Sequence, residues 1–342
     1  MNQLSAQARA VLAQHFANTA RAFGVPAGIP SAGQHFSATP SVAQTIYNKI
    51  VEDGNWFLQR INVIPVSELK GARIGLFLTG RVASRTDTSS SGERTPKHLA
   101  DTDSKGYELF PTEFDVALKY ALIDAWSKFP DFAARYMALV RQAIGNDMVQ
   151  IGWTGVSAAA TTNIGTYPLL QDVNIGWLKQ LRDFNSGSQY VLGTEGDPIE
   201  LGGAEFPNLD TLVHSAKQLL PVYHRNRPDL VALISNDLVA SQEETYYADN
   251  AGTPTEKILV NNGIIQKAYG GLPSLTPPFL PDGTVLVTPP ENLSIYYQDS
   301  SVRRLQKDKP EKNEVQDFNS VNMGYVVEEE TMAGLLENVT IV

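Results

Sequence analysis

Hydrophobic and polar positions along this chain follow two periods, and one stretch uses them to build something that projects. From Arg60 to Trp126 two apolar arms flank a polar tip, Ser84 to Thr95, of Ser, Thr, Gly and charge. The outgoing arm runs from Ile61 to Thr79. On the return arm Phe114, Val116, Leu118 and Tyr120 alternate with Asp115, Ala117 and Lys119, the period of a strand with one buried face. A ribbon this long cannot bury its far end on its own domain, and a two-stranded hairpin alone is marginal in water. Something outside the fold has to hold it, which points to a self-assembling protein.

Elsewhere the helical period dominates the first half of the chain. Leu4, Ala8, Val11, Leu12, Phe16 and Phe23 predict an amphipathic helix over 3–23, ended by Gly24 and Pro26. Residues 24–40 are Pro- and Gly-rich and uncharged, as a linker is. A second helix starts at Ser41, with Val42, Ile46, Ile50 and Val51 as its stripe. Beyond Pro130, the residues Phe132, Tyr136, Leu139, Val140, Ala143, Ile144, Met148 and Ile151 hold the helical period for about six turns. Gly152 and Gly155 close this longest helix, a candidate spine. Residues 154–168 read as a Ser/Thr/Ala/Gly loop and Gln171 to Phe184 as a further helix.

The second half carries strand and turn signals. Asn208 is placed to cap a helix with Leu209, Leu212, Val213, Ala216, Leu219 and Leu220 on its apolar face. DLVALIS (229–235) predicts a buried strand, and Asn236 or Asp237 caps another helix. IIQKAYGGLP predicts a strand and turn. NLSIYYQDSSVRRLQK (292–307) predicts a hairpin turning at Asp299-Ser300-Ser301. NMGYVVEEE and GLLENVTIV read as further strands. Helix and strand segregate by region, so the fold class is α+β.

Composition removes several chemistries. The chain has 342 residues and no cysteine, so disulfides, thiolate catalysis and Cys-based metal sites are excluded. Five scattered histidines lack metal-ligand spacing. No apolar run approaches a membrane span. Phosphate-binding loops, a G-x-G-x-x-G turn and a G-x-S-x-G elbow are absent. Asp101 and Asp103 form a D-x-D without a neighbouring carboxylate and read as a solvated turn. Nothing in the residues supports an enzyme, a cofactor or a metal. Lys97 and Lys105 border the ribbon tip, where a lysine could form an isopeptide bond with an Asn of a neighbour; a solubilising role is the plainer reading.

The net charge is −10, which repels nucleic acid in bulk, but it is unevenly placed. Residues 1–51 hold Arg9, Arg21 and Lys49 and no acid. The ribbon concentrates Lys70, Arg73, Arg81, Arg85, Arg94 and Lys97 against Asp87 and Glu93. Two stretches are acidic: 186–210, with Glu195, Asp197, Glu200, Glu205 and Asp210, and 311–330, with Glu311, Glu314, Asp317, Glu328, Glu329 and Glu330 against Lys312.

RINVIPVSELKGARIG, with PSVAQTI upstream, closely resembles the major capsid proteins of Peduovirus-type contractile-tailed phages. The likeness continues at LLQDVNIGWL, RPDLVALIS, ENLSIYYQDSSVRR and NSVNMGYVVEE, and covers about residues 37–342 in order. The resemblance implies the tailed-phage capsid fold of the Hong Kong 97 type. It divides the chain into a removable leader (1–36), an N-terminal arm (37–61), an extended loop (62–112), a peripheral domain with its spine helix near 130–151 (113–184), an axial domain (185–285) and a second peripheral segment (286–342). It implies a structural subunit forming hexamers and pentamers of an icosahedral head around packaged double-stranded DNA, with a scaffolding protein, a protease and a portal protein as partners. The places implied are the virion and, during assembly, the bacterial host cytoplasm.

In that fold the extended loop lies over a neighbour's peripheral domain. Arg73, Arg81, Arg85, Arg94 and Lys97 are therefore expected to dock near Glu328, Glu329 and Glu330 of the next copy. The leader is expected to be cut near Phe36-Ser37. An encapsulin-like compartment shell and a hydrolase with a long active-site flap are the alternatives.

Overall fold

The computed structural model describes residues 6–22, 35–72, 83–87, 93–95, 106–126, 129, 131–194, 197–250 and 268–342. Two sheets and a set of helices enclose one main apolar core and three smaller clusters among the described residues. The strand Glu314–Val327 is the axis of a seven-stranded sheet. Leu293–Gln298 and Arg303–Lys309 follow one another along one side of it, and Phe110–Glu113 and Val116–Lys119 along the other, all antiparallel. His35–Ser37 adds an edge strand on Arg303 to Leu305, and Asn62–Val66 runs parallel to Leu293–Gln298.

This sheet corrects the predicted hairpin at Asp299-Ser300-Ser301. Tyr297 pairs with Met323 and Arg303 with Ser320, so the chain runs on along the same partner instead of reversing. Residues 299–302 interrupt the pairing. The Asp299 amide donates to the Val66 carbonyl (3.1 Å), and the Ser301 hydroxyl accepts from the Asn322 amide (2.9 Å). The reversal comes at Pro310 to Asn313, where Pro stops the ladder and Asn313 adopts φ 52°, a left-handed conformation that Asn tolerates.

The second sheet has six strands, in the order Ala268–Tyr269, Leu272–Leu275, Val231–Ile234, Val285–Thr288, Gly334–Glu337 and Tyr190–Leu192. Its central strands are apolar on both faces because both faces are covered. Leu233, Leu286 and Leu335 pack into the main core, while Ala232, Ile234, Val285, Val287 and Leu336 pack with the helix Leu209–Gln218. Residues 286–342, which the resemblance implies to be a second peripheral segment, supply strands to both sheets. The turn at Gly270-Gly271, with φ 60° and 75°, joins the first two strands as the sequence predicted. Asn208 also caps its helix as expected, its side chain accepting from the Thr211 amide at 2.9 Å.

The spine helix spans Phe132–Thr154. Leu139 and Ala143, placed on its apolar stripe by spacing, are exposed, Leu139 by 62%. The buried face is turned toward Val140, Met148, Val149 and Ile151. Gly152 does not end the helix: it lies inside it, against the Trp177 ring, where a Cβ would come within 2.3 Å. The helix predicted from Gln171 shrinks to Trp177–Asp183. In the helix Pro40–Asp53 the buried residues are Ala43, Tyr47 and Ile50, and Tyr47 stacks on Tyr297 at 3.9 Å. The first helix, Ala6–Ala22, lays Leu12 and Phe16 against Leu118, Ile123, Phe132 and Val315.

Candidate subunit-contact surfaces

The ribbon leaves the large sheet from a well-built root. Lys70–Ala72 pairs antiparallel with Gly106–Glu108, so the two arms do run side by side at their base. An exposed Lys70–Glu108 ion pair at 2.5 Å spans them, worth about 0–1 kcal/mol. Packing contributes more: the Tyr107 ring meets Tyr296 edge-on at 5.1 Å, within a cluster of Leu109, Val326, Ile64 and Val66. The Tyr296 hydroxyl donates to Glu328 Oε1 at 2.8 Å. The root is thereby tied to the end of the long strand.

Of the basic residues expected to carry docking, Arg85 and Arg94 are exposed. Arg73, Arg81 and Lys97 lie outside the described residues, as do Lys105, Asp101 and Asp103.

The acidic stretch 311–330 is not a uniform surface. Asp317 is buried in an ion pair with Arg304. Glu329 accepts from or pairs with His224 Nε2 at 2.9 Å, both side chains being largely buried, and also accepts from the Thr331 hydroxyl at 2.7 Å. Its backbone is clamped on both sides by Asn292. Glu328 is held by Tyr296. Sequence spacing could not show these engagements, because the partners come from distant segments of the chain. Glu330 lines a cleft of about 530 Å³ under the ribbon root, together with Glu108 and Asp183. In the other acidic stretch Asp197, Glu200, Glu205 and Asp210 are all exposed.

The candidate processing site is also placed. The backbone of Phe36 and Ser37 pairs with Arg304 and Arg303 at the sheet edge, so cutting there first requires peeling off that strand.

The buried polar groups read as structure. Burial pushes the Tyr47 and Tyr325 phenols well above their ordinary pKa and Tyr297 up to about 12, so all three stay protonated. Tyr325 donates to the Met148 carbonyl at 2.9 Å, joining sheet to spine. Among the described residues no three His, Asp or Glu are grouped to hold a metal, and no helix is long and apolar enough to cross a membrane.

Comparison with known proteins agrees with this architecture. The family described as phage major capsid protein, P2 family, matches residues 11–339. The capsid protein of Escherichia phage P2 is 35% identical over 329 residues, covering 93% of this chain and 90% of the relative. The major capsid protein of Serratia phage KSP20 is 28% identical over 312 residues, 89% of each. Among solved structures, a satellite phage P4 procapsid that includes the size determination (Sid) protein matches with TM-score 0.76 at 32% identity, covering 90% of this chain and 94% of that one. A Microbacterium phage Oxtober96 structure, at TM-score 0.50 and 15% identity, shares the fold. The relatives are structural capsid proteins, not enzymes. A match spanning nearly the whole chain, at this identity and with the same two-sheet fold, places the chain in the P2 family of phage major capsid proteins.

Proposed function

We propose that this chain is the repeating subunit of an icosahedral phage head, gathered as hexamers and pentamers around packaged double-stranded DNA. The ribbon root carries the reading: a paired, packed base, with the stretch 73–105 between its two strands in sequence, makes sense when a neighbour receives that stretch. The first sheet with the spine helix serves as the peripheral domain, and the second sheet with Leu209–Gln218 as the axial domain. A scaffolding protein, a protease and a portal protein are the partners this role requires, during assembly in the host cytoplasm.

The basic ribbon meets the acidic surface of the neighbour around Glu328, Glu329 and Glu330, just beyond the end of the long strand. Complementary charge there sets register more than it adds affinity. With scaffold present, wild-type protein should form closed shells in negative-stain images. The double reversal Arg85→Glu/Arg94→Glu should cut shell yield by about tenfold, the effect of about 1.4 kcal/mol per contact, and Glu330→Lys should restore part of it. Glu329 is left alone because reversing it would strand His224. A stable wild-type monomer overturns the shell role; a double reversal that assembles normally overturns only this docking.

The leader is an assembly element lost on maturation. It is basic on an acidic body, and its end pairs at the sheet edge from His35. Subunits from infectious particles should weigh less than the full 37.4 kDa chain; recovery of that full mass would reject the idea.

A further inference from the structure

The loop that follows the spine helix lies outside the stretches assigned to the ribbon contact, and a network of its own hydrogen bonds holds it. Its ends are closed: Gly176 N donates to the Gly155 carbonyl at 3.1 Å, and Val156 bridges Ile175. Inside, the buried Asp172 carboxylate accepts from the Asn163 amide at 2.7 Å. The Asn163 side chain in turn accepts from the Gly165 and Thr166 amides at 3.0 and 3.3 Å. The fully buried Asn174 donates to the Met323 carbonyl at 2.9 Å, fastening the loop to the long strand. This is a compact loop held by its own hydrogen bonds.

What this scaffold presents is apolar. Val156, Ile164, Tyr167 and Leu169 are exposed, Ile164 by 72%. Clustered exposed apolar residues mark interaction sites, and a rigid loop loses little entropy when it binds. The segment 148–171 contains no Asp, Glu, Lys or Arg, in a chain where those residues make up 19%. That absence selects the occupant. Copies of a chain with net charge −10 repel one another. At a symmetry axis each residue also approaches its own equivalent, so any charge there meets a like charge. A neutral, apolar, pre-shaped tip is the surface that can meet itself.

We propose that the 155–171 loop is a self-contact, through which copies of this chain meet tip to tip at a symmetry axis of the shell. The inference rests on the shell-subunit reading above. The native chain lacks cysteine, so Ile164→Cys supplies a unique thiol on an exposed side chain. In assembled particles a short bismaleimide should convert this variant largely to covalent dimer, at least tenfold above the same variant in dissociated subunits. Ile164→Asp, which brings like charges to the axis, should leave the subunit melting temperature unchanged and lower particle yield about tenfold. Particles of Ile164→Cys that stay uncrosslinked, or that accept a maleimide dye as freely as the subunit does, overturn the contact, as does Ile164→Asp assembling at wild-type yield. Wild-type protein that never assembles overturns the shell reading, and the self-contact with it.

Discussion

Trp177→Ala should destabilise the subunit by about 3–5 kcal/mol, the range for removing a fully buried aromatic side chain. Trp177 has no exposed surface and sits where three elements meet. Its ring lies 5.0 Å from Trp153 on the spine helix, 5.3 Å from Tyr325 on the long strand and 6.5 Å from Phe57. Its Nε1–H donates to the Ser294 carbonyl at 3.0 Å. Alanine leaves a cavity against Gly152 and removes a buried hydrogen bond to the sheet, and the two costs add. Urea unfolding of the unassembled subunit measures the loss. A change below about 1 kcal/mol would show that this junction collapses without penalty. Gly152→Ala attacks the same contact from the other side by overfilling it, at a cost of about 1–3 kcal/mol.

Arg304→Met should cost about 3–5 kcal/mol, because it leaves the Asp317 carboxylate buried without a counter-charge. The two side chains are 8% and 6% exposed, and Arg304 Nε donates to Asp317 Oδ1 at 2.8 Å. Gln306 adds a contact at 3.3 Å, too little to replace a guanidinium. Asp317→Leu in the same chain should recover most of the loss, since an apolar pair of similar volume needs no charge balance. The double-mutant cycle by chemical denaturation decides: additive costs would mean that the pair is not the source of the effect. The site matters for the shell because Arg304 lies on the strand that receives His35–Ser37, where the leader joins the sheet.

Local features were legible where short-range physics decides them. Asn208 caps its helix because one side chain three residues from an amide is enough. Gly270-Gly271 turns because both positions need positive φ. The alternation of Phe114, Leu118 and Tyr120 against Asp115, Ala117 and Lys119 reappears as buried against exposed. Tyr47 was missed on the second helix, since a tyrosine on a polar flank gives no sign that another tyrosine will stack on it. Leu139 was placed inside by spacing alone, but a helix stripe is wider than the surface that covers it.

The candidate surface was legible only as charge. The basic ribbon and the acidic stretches can be counted from residues, and the resemblance says that copies assemble. Which of these acids the fold engages, and with what, cannot be counted. Asp317 and Glu329 find Arg304, thirteen residues away, and His224, more than a hundred away, and those meetings depend on how the strands line up. The apolar tip at Ile164 and Tyr167 likewise looks like ordinary loop composition until the folded chain shows it closed, fastened and uncovered.

By itself, then, the chain's sequence determined the periods of its helices and strands, its caps and glycine turns, the absence of cysteine chemistry, and the family. Tertiary structure alone decided where Arg303–Lys309 turns back, that 286–342 serves two sheets, that Gly152 makes room for Trp177, and that Asp317 and Glu329 are engaged by Arg304 and His224. The reason is range. Propensity and capping act within a few residues, where the sequence is its own context. Strand partners, buried ion pairs and covered faces are chosen among distant segments competing for the same interior, and that choice exists only in the folded chain.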